Sequence, residues 1–208
     1  MKPTKAQLAA LSRRDPVLGK VMKGLPPFPD LPMKPRLPYF HTLARTIIYQ
    51  QLATGAARTI HDRVKALSPN PRRFPTAKEI LAIPEESLRN AGLSRNKLKA
   101  IRDLAERTES GDLRLRSLSN LPEEEVMDQL TAVWGIGEWS AQMFLIFHLG
   151  RPDIFAPGDL GLLEGMRILD GLDERPTPSE AQQRARVWAP LRSVASWYLW
   201  RLKDGGEV

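Results

Sequence analysis

Leu130-Thr131-Ala132-Val133-Trp134-Gly135-Ile136-Gly137-Glu138-Trp139-Ser140-Ala141 is the stretch on which the reading of this chain turns. A Gly-x-Gly turn sits between two segments of helical character. Glycine reaches positive φ without steric cost, so consecutive backbone N–H groups can face the same way. The helix that follows adds the positive end of its dipole. Together they form a seat for a phosphate group that needs no side-chain charge and reads no sequence. Taken alone, the same pattern is an ordinary turn between packed helices. Its surroundings sharpen it: residues 138–149 are apolar on most sides, as in a central buried helix, and Phe155-Ala156-Pro157-Gly158-Asp159 follows shortly after.

Working outward, the rest of the chain reads as helices. Before the hairpin, Pro122 and three glutamates open a helix over about 122–132. Ser94 is placed to cap a helix over about 95–109 whose inward residues are Leu98, Ile101, Leu104 and Ala105. Short helices are expected at about 76–82 and 84–90. From Tyr39, the residues Phe40, Leu43, Ala44, Ile47, Ile48 and Leu52 keep the spacing of one buried helical face. Gly55 either breaks this helix or lets helices approach closely. The next helix turns Ala57, Ile60, Val64 and Leu67 inward and Arg58, Arg63 and Lys65 outward, and ends at Ser68-Pro69-Asn70-Pro71. Residues 4–23 are short helical pieces with Leu8, Leu11, Val17, Leu18 and Val21 able to face a core; 25–38 is a Pro-rich strap in extended form. After Asp159, which opens a helix to about Leu169, come helices at about 178–188 and 190–203. No run of period-two alternation stands out. The expectation is an all-α fold of about ten helices in two lobes sharing a cleft, with 1–37 packing on a core of 38–208.

Composition narrows the function. The 208 residues hold 42% hydrophobic side chains, enough for a core, and 31 Lys+Arg against 24 Asp+Glu give +7, which favours a polyanionic partner. No cysteine is present, which removes disulfides, thiolate zinc sites, iron–sulfur clusters and cysteine nucleophiles. His41, His61 and His148 are too scattered to imply a metal constellation. The first residues lack the apolar stretch of a signal peptide, and no run of about 18 apolar residues exists, so an intracellular protein without a membrane span is expected.

Three segments in order carry a resemblance: Ile47-Ile48-Tyr49-Gln50-Gln51-Leu52; Gly135 to Ala141 running on to Asp159-Leu160-Gly161; and Pro190-Leu191-Arg192-Ser193 ending at Trp200-Arg201-Leu202. They resemble the helix-hairpin-helix DNA glycosylases of the endonuclease-III-like superfamily, and within it the DNA-3-methyladenine glycosylase II family, over roughly residues 38–203. The resemblance implies a compact form, without the β-rich N-terminal domain some members carry. It implies cleavage of N-glycosidic bonds of alkylated bases, such as 3-methyladenine and 7-methylguanine, in base excision repair.

It also implies roles. Asp159 matches the catalytic aspartate, whose carboxylate stabilises the oxocarbenium-like sugar and directs water. It is equally an N-cap, where a helix dipole favours the ionised form. Trp139 stands where lyase members carry a Schiff-base lysine, so a water-using, monofunctional enzyme is expected. Trp139, with Trp134, Trp188 and Leu191, is a candidate for the base pocket; Leu191 replaces a tryptophan of a relative, which leaves lesion range open. Gln51 matches the wedge that fills the gap left by a flipped base, with Gln50 as the competing choice. Gly135, Ile136 and Gly137 are expected on a DNA phosphate, with Arg95 and Lys97 as side-chain contacts. Backbone carbonyls of Thr131, Val133 and Ile136 are candidates to hold Na+ or K+; no other cofactor is expected.

The expected partner is double-stranded DNA with damaged bases, bound by a monomer, in the nucleoid-containing cytoplasm of a bacterium or the nucleus of a eukaryote. A helix-hairpin-helix binding protein without chemistry, or a glycosylase for deaminated or other purine lesions, is the alternative. Asp159 discriminates, since a mere binder gains nothing from a carboxylate beside an anionic backbone.

Overall fold

Helix-forming periodicity and capping residues carry most of the chain into α-helix. In the computed structural model, residues 2–29, 31–32 and 37–205 are described, and among them there are twelve α-helices, two 3₁₀ turns and no strand. The parts of the Pro-rich strap at 30 and 33–36 lie outside the described residues. No helix among the described residues is long and apolar enough to cross a membrane. The chain forms two compact units: residues 1–34 with 142–208, and residues 35–141.

The second unit is built around α7 (Arg95–Ser110), against which α3 (Tyr39–Tyr49) and α5 (Ala77–Ala82) pack. Ser94 caps α7 by accepting the Lys97 N–H at 3.3 Å, and Leu98, Ile101, Leu104 and Ala105 are buried along it as the spacing predicts. Alongside lie α4 (Thr54–Ala66), α6 (Glu85–Asn90) and α8 (Glu123–Thr131). Two expectations fail here for one reason. Leu52 does not continue the buried stripe but is 39% exposed, because α3 stops at Tyr49. Gly55 neither breaks a helix nor admits a close neighbour; it lies in the first turn of α4 with open space where a Cβ would be.

The first unit holds α1 (Lys5–Arg14), α2 (Pro16–Gly24), α10 (Leu160–Asp170), α11 (Pro178–Arg184) and α12 (Arg192–Lys203). Helices α10 and α12 form its most extensive contact, and Gly165 is what lets them meet: a Cβ there would stand 2.5 Å from the Leu199 carbonyl oxygen. Val17, expected inward, is exposed, whereas Leu11 and Leu18 are fully buried. Asp15 ends α1 and caps α2 through the Leu18 N–H at 3.0 Å, and also accepts from Arg184 and from the Trp188 indole, both at 2.7 Å. Burial pushes its carboxyl up, but these donors outweigh burial and hold it below its ordinary value. The helix expected over 178–188 is α11 followed by a 3₁₀ turn, Ala185–Trp188. The boundary between the units falls inside α9 (Glu138–Phe147), whose Ala141, Phe144, Leu145 and Ile146 are buried.

Candidate DNA-binding and catalytic site

The hairpin forms where it was expected, between α8 and α9. Gly135 has φ +80°, a conformation closed to most side chains, and a Cβ there would meet Ala100 at 3.1 Å. Gly137 does not share this need: its φ is not positive, and nothing lies near where its Cβ would be. Its carbonyl accepts the Ala141 N–H at 3.1 Å, so it opens α9. The N–H groups of Glu138, Trp139 and Ser140 then lie in the first turn, where a helix has no intrahelical acceptors. The exposed backbone at Gly137 allows close approach by a ligand.

The turn is tied to α7. Trp134 N–H donates to Asp103 Oδ2 at 2.6 Å, and Asp103 is held by Arg107 Nε at 3.0 and 3.1 Å. Between α7 and the turn runs an open groove of about 1050 Å³ whose basic side chains include Arg95, Lys99 and Arg102. Arg95 is exposed, as a phosphate contact requires. Trp134 is half-exposed, but Lys99 Nζ lies 3.5 Å from its ring centroid. That face already carries a cation, so Trp134 suits a cationic base poorly. Trp139, in the first turn of α9, is 50% exposed.

At the end of α3 the chain turns sharply. Gln50 caps the helix and Gln51 has φ +54°; among the described residues it is the non-glycine residue with positive φ. A left-handed conformation costs such a residue roughly 1–2 kcal/mol, and strain of this kind gathers at functional sites. Gln51 is exposed. Gln50 is differently engaged, its side-chain amide donating to the Gly135 carbonyl at 2.9 Å. Of the two wedge candidates, Gln51 is the exposed one and Gln50 is tied to the hairpin turn. Lys97, expected on a phosphate, is turned inward: Nζ donates to the carbonyls of Ile48 at 2.6 Å and Gln50 at 2.8 Å. Burial pushes its ammonium below the ordinary value.

In the first unit, Asp159 is 8% exposed and caps α10, accepting the Leu162 N–H at Oδ1 (2.8 Å). The Trp200 indole N–H donates to the same oxygen at 3.0 Å. Trp200 packs beside Phe147, with ring centroids 5.6 Å apart. Gly161 makes room for this pairing: a Cβ there would lie 3.0 Å from the Trp200 ring and 3.1 Å from Asp159 Oδ1. Leu160, next to the carboxylate, is 67% exposed and offers apolar surface beside it. The hydrogen bond from Trp200 has no signature in local sequence, because its partner lies 41 residues away. Trp188 and Leu191, expected in a base pocket, are core residues instead. Trp188 is fully buried with its N–H spent on Asp15, and Leu191 is 2% exposed. Neither has exposed surface left to offer a base.

Residues 44–190 match the family described as HhH-GPD superfamily base excision DNA repair protein. The chain belongs to that superfamily. A DNA-3-methyladenine glycosylase of Schizosaccharomyces pombe is 36% identical over 174 residues, 83% of this chain and 75% of that one. Among solved structures, a DNA-3-methyladenine glycosidase from Bacillus halodurans superimposes with a TM-score of 0.87 at 32% identity, covering 98% of this chain and 91% of the other. A Schizosaccharomyces pombe 3-methyladenine DNA glycosylase in complex with abasic DNA superimposes with a TM-score of 0.79 at 33% identity, covering 95% and 96%.

Proposed function

We propose that this HhH-GPD protein is a monofunctional DNA glycosylase that releases alkylated bases, 3-methyladenine and 7-methylguanine among them, from double-stranded DNA. The observation that carries the reading is Asp159, a nearly buried carboxylate aimed by two donors, in a chain whose relatives are named for this activity. As the base leaves, positive charge grows on the sugar. A fixed carboxylate is worth most there if it needs no reorganisation, and the Leu162 and Trp200 N–H groups hold its direction beforehand.

The second unit supplies the grip. Backbone N–H groups around Gly137 face a phosphate, Arg95 adds charge, and Gln51 enters the stack as the base leaves it. Trp139 offers a half-exposed ring to a cationic base. It also stands in place of an amine, which supports release by water and a product strand left uncut.

The carbonyls of Thr131, Val133 and Ile136 are hard oxygen donors of the kind that suits Na+ or K+. Val133 already accepts the Ile136 N–H at 3.1 Å, which leaves its second lone pair for an ion. A cation held there would add positive charge toward a phosphate, and glycosidic cleavage does not run through it.

Two measurements test the reading. Asp159→Asn keeps the size and the capping oxygen but removes the charge. It should bind lesion duplex within a fewfold of wild type and release base slower by roughly 10²–10³, the scale of losing one preorganised electrostatic group; unchanged release removes Asp159 from the mechanism. Wild-type protein incubated with methylated duplex should free 3-methyladenine, seen by chromatography, and leave an abasic strand that breaks only on later alkaline treatment. Strand breaks before that treatment would contradict the monofunctional assignment.

A further inference from the structure

Lys97 and Gln50 join two parts of the second unit that DNA recognition needs. The last carbonyls of a helix lack intrahelical donors. Lys97 Nζ reaches across from α7 to satisfy Ile48 O and Gln50 O, at the end of α3 and on its cap. Those two contacts fix how the chain enters Gln51, whose φ of +54° turns the backbone out of the helix and whose side chain is exposed. The Gln50 side chain runs the other way, to the Gly135 carbonyl of the hairpin turn. The same α7 holds that turn through Asp103 and the Trp134 N–H. So α7 anchors the wedge turn with Lys97 and the hairpin with Asp103, and Gln50 closes the circuit between them.

We propose that Lys97 and Gln50 are positioning residues that lock the left-handed turn at Gln51 to the hairpin, so that gripping the strand and inserting the wedge occur as one rigid step. Neither residue touches nucleic acid in this role. The proposal rests on reading Gln51 as the wedge. Its inward, partly desolvated ammonium sets Lys97 apart from a phosphate-binding lysine, which would keep its charge in solvent.

Lys97→Met keeps the aliphatic stem and removes the donors. Base flipping is followed by the fluorescence of 2-aminopurine placed beside the lesion, with single-turnover base release and the salt dependence of binding to undamaged duplex measured alongside. Lys97→Met and Gln50→Ala should each slow flipping and release by about tenfold or more, with affinity for undamaged duplex within about twofold and the salt slope unchanged. Lys97→Arg, which retains donors, should recover part of the loss. In a Gln51→Ala background, Lys97→Met should add less than about twofold, since both act through one side chain.

A salt slope lower by about one with flipping intact would mean that Lys97 meets a phosphate, and overturns the proposal. Full additivity with Gln51→Ala overturns it as well. If Gln51→Ala alone leaves flipping untouched, the wedge reading itself falls; a normal loss in Gln51→Ala beside silent Lys97→Met and Gln50→Ala removes only the coupling. Gln50→Ala deletes a part-exposed amide, so it reports even where Lys97→Met does not fold.

Discussion

Trp200→Phe isolates the least anticipated part of the proposed catalytic arrangement. The substitution deletes the indole N–H that donates to Asp159 Oδ1 at 3.0 Å and retains an aromatic ring beside Phe147. Hydrogen bonds to a charged group contribute about 1.5–3 kcal/mol. The Leu162 N–H still holds the same oxygen, so the carboxylate is loosened rather than released. If about 1.5–2 kcal/mol of the lost interaction is expressed in the transition state, release slows roughly 10- to 30-fold, since each 1.36 kcal/mol is tenfold in rate. Single-turnover release from a methylated duplex, with enzyme in excess, reads this directly. DNA affinity should change little, because under the proposed function the lost bond orients a group that acts on the sugar and does not bind the strand. A rate equal to wild type, or a loss confined to binding, would refute the view that Trp200 aims Asp159.

Three further outcomes follow from packing and charge. Gly165→Ala should lower stability by about 1–3 kcal/mol in denaturant melts although alanine is the better helix former, because the new Cβ would meet the Leu199 backbone at 2.5 Å. Gly55→Ala, also helical but with open space at that position, should instead raise stability by about 0.4–1 kcal/mol; matching signs for the two would contradict the packing account. His41 stacks on Phe74, its Nε2 lies 2.8 Å from that of His61, and burial first, then His61, Arg45 and Lys65, hold its pKa at about 4 instead of 6.5.

The sign follows from the unfolded chain taking the proton first. The contribution of neutral His41 is whole above pH 6.5 and is lost as pH falls toward 4. The gap corresponds to roughly 3 kcal/mol for a dry site, cut to about 1 by solvent around a partly exposed ring. Urea melts between pH 7 and 4.5 should show this acid limb, and His41→Gln should flatten it; an unaltered limb would clear His41.

Much of the fold was legible because its signals are local. Thr4, Asp15, Thr76, Ser94, Asp159 and Thr177 each cap a helix within three residues of themselves, so the caps can be read from the chain alone. Leu52 was misread because apolar spacing continues past the point where the backbone stops being helical. Trp188 and Leu191 were misread because an aromatic or aliphatic residue has the same composition in a pocket wall and in a core.

Sequence alone determined that the chain is helical, that a glycine turn lies between two helices, and that an aspartate opens the helix after it. Periodicity, positive φ and capping all act over a few residues, so spacing records them. Only the folded chain decided which oxygen Trp200 would hold, that Lys97 would turn from solvent to the end of α3, and that Gln51 would be held in a left-handed turn. Those depend on donors and acceptors 41 to 49 residues apart meeting at hydrogen-bond distance, a condition that no local pattern records.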